Sequence, residues 1–416
     1  MKKFSLLLII SAFAFNVHSQ DNSNLVEQLL RAHPELFNEI LNDADKHEVQ
    51  IVYTQINRDK NNHPSFKTYT YNVDRNRFFY AASTVKLPLA LMSLEKINNL
   101  KIKGLTKDSP MKIDSASLKQ IAVSVDTSAA NGLPSISNYI KKILLVSDND
   151  AYNRLYEFLG QQYVNETLKA KGFKDIRILN RYVVGDDTIT ARYTNPMQFY
   201  NNGQIVYSQP QVYNSQAIYA NLKPILKGKG YLNAKDSLIN QPFNFQYKNF
   251  YPLEEQQKVL RTLLFPETVP SAQRFNLTRE DYALVYKYMS MLPQESKHPN
   301  YSNSAEYQPS YAKFLMFGDR KDSIPANIRI FNKIGDSYGY MIDNAYIVDF
   351  ENKVEFMLSA VVFSNKDEIF NDSKYEYETI CLPFLGNIGR VIYDYELNRK
   401  KDHLPDLSRF KMDYSR

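Results

Sequence analysis

The chain has 416 residues, with 51 Lys and Arg against 45 Asp and Glu, for a formal net charge of +6. That small excess is spread without long basic runs, which argues against nucleic acid as a partner. The six histidines (His18, His33, His47, His63, His298, His403) lack paired metal-ligand spacing, so neither a metal nor another cofactor is expected.

Residues Met1 to Gln20 read as a secretory signal: Lys2 and Lys3 precede a short apolar run, Phe4 to Phe15, and Val17-His18-Ser19 offers a cleavage site. The run is shorter than the roughly 20 residues a membrane span needs. The expectation is export to the periplasm or medium, without a stable membrane anchor, as a monomer. Cleavage after Ser19 takes 19 residues from 416 and leaves 397, and loss of two lysines lowers the charge from +6 to +4.

Leu25 to Leu41 has helical apolar spacing that restarts at Pro34, a residue suited to a first helical turn. His47–Asn57 and Phe66–Val73 alternate as strands around the polar Asp59–Pro64, which predicts an antiparallel hairpin. An aromatic entry, Phe79-Tyr80, then leads into Ala81-Ala82-Ser83-Thr84-Val85-Lys86 and a mostly apolar helical run. If Ser83 lies in the first turn, Lys86 shares its face. The helix N-terminus adds backbone N–H groups suited to an oxyanion.

Ser-x-x-Lys is a cheap pattern, which starts at Ser83, Ser93, Ser109, Ser310 and Ser408. Other parts of the chain must choose among the five. From Leu87 to about Gly172 the pattern is helical, with Ile136–Val146 and Asp150–Leu159 as two helices and Gly160 as a stop. Ser147-Asp148-Asn149 sits between them, where a polar corner is ordinary capping chemistry. Asp175–Pro196 reads as a loop, and 201–273 as a weakly periodic insertion lying on the surface. Thr278 with Asp281 opens a helix to Leu292 in capping-box style.

Three β-rich runs follow, Asn327–Ile334, Tyr340–Phe350 and Val354–Phe363, with a tight turn at Glu351-Asn352-Lys353; Tyr375–Arg399 reads as a terminal helix. In Ile380-Cys381-Leu382, the sole cysteine reads as a buried small side chain, and intramolecular disulfides are excluded. Strands at both ends around a helical middle imply one sheet closed by both termini, with a helical subdomain between.

Lys333-Ile334-Gly335 is the only Lys-x-Gly in the chain, and Ser147-Asp148-Asn149 the only Ser-Asp-Asn. With Ser83-Thr84-Val85-Lys86 they stand in an order that resembles the three motifs of class A serine β-lactamases and penicillin-binding proteins. The resemblance covers roughly Pro34 to Arg399 without the insertion. It implies an α/β (α+β) fold: an antiparallel five-stranded sheet flanked by helices plus an all-helical subdomain. On that frame 1–19 is the signal peptide, 20–82 and 300–416 form the sheet part, and 83–299 the helical part.

The resemblance also implies roles. Ser83 is the acylated nucleophile, Lys86 its activator and Ser147 the relay to the leaving nitrogen. Asn149 and Lys333 hold substrate, and the N–H groups of Ser83 and Asp336, after Gly335, form the oxyanion hole. A β-lactam or cell-wall peptide is the implied small-molecule substrate.

Three departures qualify that reading. Val183 stands where class A enzymes place the loop glutamate that activates the deacylating water; the nearest acids, Asp186 and Asp187, are shorter candidates for that work. Ile334 replaces a threonine, and Asp336 puts an acid on the strand lining the cleft. Acylation without fast deacylation is therefore expected. The alternatives are a D,D-peptidase or esterase, and a non-hydrolysing penicillin-binding sensor. Gly335-Asp336-Ser337-Tyr338-Gly339 also fits the Gly-x-Ser-x-Gly of α/β-hydrolases, but the β-rich run after it predicts a hairpin, where that motif needs a helix.

Overall fold

The structure, a computed structural model, describes residues 24–117, 119–182, 189–218 and 222–415. The signal-like segment Met1 to Gln20 lies outside the described residues.

One antiparallel sheet organises the chain. Its strands are β1 (Gln50–Arg58) and β2 (Pro64–Tyr71) from the N-terminal part, and β3 (Ile328–Ser337), β4 (Tyr340–Asp349) and β5 (Val354–Phe363) from the C-terminal part. They run in the order β3-β4-β5-β1-β2. The hairpin expected at the N-terminus forms in the register Asn57↔Ser65, its turn held by Asp59 Oδ1, which accepts from the Asn61 and His63 N–H groups at 2.8 and 2.9 Å. β1 then pairs with β5, Val52 opposite Ser359, and this junction joins the two ends of the chain.

Among the described residues the α-helices are α1 (Asn24–Arg31), α2 (Pro34–Leu41), α3 (Lys86–Leu100), α4 (Ile136–Leu145), α5 (Asn149–Leu159), α6 (Gln161–Ala170), α7 (Leu253–Leu264), α8 (Arg279–Ser290), α9 (Phe314–Phe317, a turn with non-helical backbone at Leu315 and Met316) and α10 (Leu382–Asn398). Val26, Leu30 and Phe37 of α1 and α2 join Phe384, Leu385 and Ile388 of α10 in a core against one sheet face, which presents Ile51, Ile330 and Ile347. The other face presents Phe331, Tyr346 and Met357 to Val259 and Leu260 of α7 and Val285 of α8. With both faces covered, every residue of β4 is buried, while the edge strand β2 keeps Ser65, Lys67 and Thr68 exposed.

α3 is the central helix of the helical part and packs against α4 and α5. Residues Lys86 to Glu95 are all buried, as expected of a helix that is apolar almost all round. A lysine placed at its first turn is therefore dry by position.

Two expectations differ from the structure. The helical run after Leu87 is broken between α3 and α4, where loops surround a short strand, Met111–Ile113, that pairs with Met197–Asn201. The 201–273 stretch also holds α7, which is buried rather than on the surface. Its Gln257 amide donates to Val52 O at 2.9 Å and Ser359 Oγ at 3.1 Å and accepts from Thr54 Oγ1 at 2.6 Å. Polar Gln256 and Gln257 on the buried face hide the apolar stripe that would have marked the helix.

Candidate active site

The turn before α3 carries Ser83, and its geometry is forced. Ala82 sits at φ +45° and Ser147, in the corner between α4 and α5, at φ +58°. Left-handed backbone at non-glycine residues costs about 1–3 kcal/mol each; Ala82 adjoins Ser83 in the chain, and Ser147 borders the Lys86 side chain.

Lys86 Nζ lies 2.8 Å from Ser83 Oγ, 2.7 Å from Asn149 Oδ1 and 3.1 Å from Ser147 Oγ, and it donates to the Ser147 carbonyl. Asp148 between them does capping work, accepting from the Ala151 N–H at 2.7 Å. The corner thus serves both readings of its sequence: its middle residue caps α5 while its outer two face Lys86. Full burial of Lys86, with Lys333 as a neighbouring cation, drives its pKa well below the usual lysine range. A neutral amine has two N–H donors and one lone pair. The Ser147 carbonyl and Asn149 Oδ1 can take the donors, which leaves the lone pair for the Ser83 hydroxyl.

β3 forms the facing wall. Lys333 Nζ donates to Ser147 Oγ at 2.9 Å and to the Ile334 carbonyl at 2.9 Å. Burial pushes Lys333 down to about 7, against the opposing pull of Asp336 and Asp343. Gly335 is required by contact: a Cβ there would stand 2.9 Å from Ser83 N, 3.0 Å from Ala81 O and 3.1 Å from Ala82 Cβ. Asp336 is enclosed by protein yet opens to the cleft water. Enclosure raises its carboxyl pKa, Lys333 and Lys86 lower it, and access to water tempers the rise.

The structure therefore brings together Ser83, Lys86, Ser147, Asn149, Lys333 and Gly335, with Asp336 at the rim of the same cleft. Asp186 and Asp187, and Val183 before them, lie outside the described residues. In two of the other Ser-x-x-Lys pairs the polar groups turn to other partners. Lys96 Nζ goes to Phe158 O, Lys313 Nζ to Met289 O and Asn332 Oδ1, and Ser310 Oγ to Arg320 O. Ser337 ends β3 in a two-residue hairpin with Tyr338 at φ +52° and Gly339 at φ +81°, which removes the strand–turn–helix reading of Gly-x-Ser-x-Gly. Among the described residues no group of three His, Cys, Asp or Glu could hold a metal ion.

The cleft above Ser83 has a volume of about 600 Å³. Sequence reasoning missed several of its walls: Tyr311, Tyr377, Arg320, Lys321 and Tyr182. Tyr182 is the most closely held. Its backbone N–H donates to Asn153 Oδ1 and its carbonyl accepts from Asn153 Nδ2, both at 2.8 Å. Its ring packs on Tyr152 with centroids 4.5 Å apart, lies 5.2 Å from Lys86 Nζ, and its hydroxyl donates to the Ala82 carbonyl. Next to it, Arg181 is buried against Glu157, Nη1 to Oε1 at 2.8 Å, which fixes the start of the loop. The only signal for Tyr182 in the sequence is its place beside Arg181.

Among solved structures, a β-lactamase from Xanthomonas campestris is similar at 14% identity, with a TM-score of 0.45, over 89% of this chain and 98% of that one. A β-lactamase from Sphaerobacter thermophilus is similar at 14% identity, with a TM-score of 0.48, over 90% and 97%. No curated protein matches. Residues 35–216 match the sequence model of the β-lactamase enzyme family, a stretch that carries Ser83, Lys86, Ser147 and Asn149 but ends before Lys333. Over that stretch, which has a serine and a buried lysine in contact at its centre, the chain is similar to the β-lactamase enzyme family.

Proposed function

We propose that the chain is an exported serine acyl hydrolase of the class A type, acylated at Ser83 by β-lactams or related amides and slow to release the acyl group. The observation that carries this reading is Lys86 Nζ at 2.8 Å from Ser83 Oγ, buried and paired with the Ser147 corner.

In this mechanism neutral Lys86 takes the Ser83 proton as Oγ adds to the substrate carbonyl. The oxyanion is met by the N–H groups of Ser83 and Asp336, each donor worth about 10²–10³ in rate. The C–N bond then breaks, and the proton passes from Lys86 through Ser147 Oγ to the leaving nitrogen. Lys333, which donates to Ser147 at 2.9 Å, keeps that hydroxyl polarised and draws an anionic substrate group into the cleft. Asn149 orients Lys86 and the substrate amide.

Slow release is supported by Val183 at the glutamate position and by Tyr182 beside the nucleophile. It also favours the second reading, a penicillin-binding sensor or a D,D-peptidase-like enzyme, over an efficient resistance enzyme. Export to the periplasm or medium rests on the pattern of Met1 to Gln20.

The test is intact-mass analysis of the mature protein with a penicillin and a chromogenic cephalosporin. A long-lived adduct absent from Ser83→Ala is expected. Rapid colour without an adduct would convert the reading to an efficient β-lactamase, and no adduct on Ser83 would refute it.

A further inference from the structure

The geometry points to Tyr182 as the residue that sets the lifetime of the acyl-enzyme, by filling with its ring the space from which water would reach the acyl carbon. This inference rests on acylation at Ser83, and it adds a residue that none of the three motifs contains.

Release of the acyl group needs one water. Its oxygen adds to the acyl carbon, the bond to Ser83 Oγ breaks, and one water proton returns to that oxygen. The water must therefore stand close to Ser83 and to a proton acceptor, and Lys86 is the acceptor at hand. The phenol of Tyr182 already flanks both groups. Its ring is 5.2 Å from Lys86 Nζ, and its hydroxyl is bonded to the carbonyl of Ala82, the residue joined to Ser83.

Three independent holds keep the ring there: the paired 2.8 Å backbone bonds to Asn153, the 4.5 Å packing on Tyr152, and the hydroxyl bond itself. Asn153 is buried and Tyr152 fully so, which makes the wall rigid. The Ala82 carbonyl, an acceptor that water could otherwise use as a seat, is occupied by the same residue. Tyr182 is thus a positioning residue by exclusion: it shapes where water can stand.

Benzylpenicillin is the probe, with the full mature chain, and the readouts are adduct formation and adduct decay by intact mass. Tyr182→Phe keeps the ring and should keep the adduct lifetime within about threefold. Tyr182→Ala opens the space and should clear the adduct at least about tenfold faster, with the rate of acylation changed less than about threefold. Tyr182→Leu, which retains packing on Tyr152 while withdrawing the outer ring, carries the same direction of change and guards against misfolding of the alanine variant. Equal lifetimes for wild type, Ala and Leu overturn the inference, as does a Phe variant that clears as fast as Ala. A wild-type chain that forms no adduct on Ser83 overturns the acyl-enzyme reading itself, a result distinct from a persistent adduct insensitive to Tyr182.

Discussion

Gly335→Ala tests whether the cleft depends on the approach of β3 to the nucleophile turn. The added Cβ would meet Ser83 N at 2.9 Å, Ala81 O at 3.0 Å and Ala82 Cβ at 3.1 Å, two of them backbone atoms that no side-chain rotation can remove. Restoring an ordinary separation of about 3.5 Å requires the strand and the turn to part by roughly 0.6 Å. A displacement of 1 Å at a reacting centre costs on the order of 10²-fold, so a loss of about tenfold or more in the acylation rate is expected. Overpacking of this kind costs about 1–3 kcal/mol of stability. The assay is the second-order rate of Ser83 modification by a chromogenic cephalosporin, with thermal unfolding measured in parallel. Wild-type acylation at an unchanged melting temperature would refute the reasoning, because the contact would then be absorbed without moving Ser83.

Lys333 gives a pH prediction whose sign follows from its depressed pKa of about 7. Below that value it is cationic and attracts a carboxylate; above it the attraction fades. Acylation by an anionic penicillin relative to a neutral ester should therefore fall as pH rises from 6 to 9, while the ratio cancels the change at Lys86; a flat ratio would sink the role given to Lys333. Lys313 is also pushed down to about 7, by burial. Between about pH 7 and the ordinary lysine value of 10.5 the unfolded chain binds more protons at Lys313 and Lys333 than the folded chain, so these groups make stability rise with pH there. Urea midpoints at pH 6.5 and 8.5 measure it, and a lower midpoint at 8.5 would contradict the assignment. Glu157→Gln removes the carboxylate that buried Arg181 meets at 2.8 Å and Arg154 at 2.9 Å; Arg154 keeps Asp150 at 2.7 Å, but the uncompensated Arg181 should cost about 3–5 kcal/mol in urea unfolding. A loss under about 1 kcal/mol would show that the pair does not anchor the loop.

The hairpin at 50–71, the three C-terminal strands and the capped helix α8 were legible because each is decided by neighbours in sequence: alternation, a polar turn, a Thr–Asp capping box. The three motifs were legible for a related reason, since each is a run of three or four particular residue types that is read from the chain itself. α7 was not, because Gln256 and Gln257 are buried only where the sheet offers Val52 O, Thr54, Ser359 and Asn344 as partners.

The sequence by itself determined that Ser83 has a lysine three residues on, with Ser-Asp-Asn and Lys-x-Gly downstream in order. Only the tertiary structure decided that Lys86 is dry, since burial of α3 depends on every element packed around it. It also set Lys86 Nζ against Ser83 Oγ and Tyr182 against the turn that carries Ser83, because which side chain fills a space depends on contacts between segments some 100 residues apart in the chain.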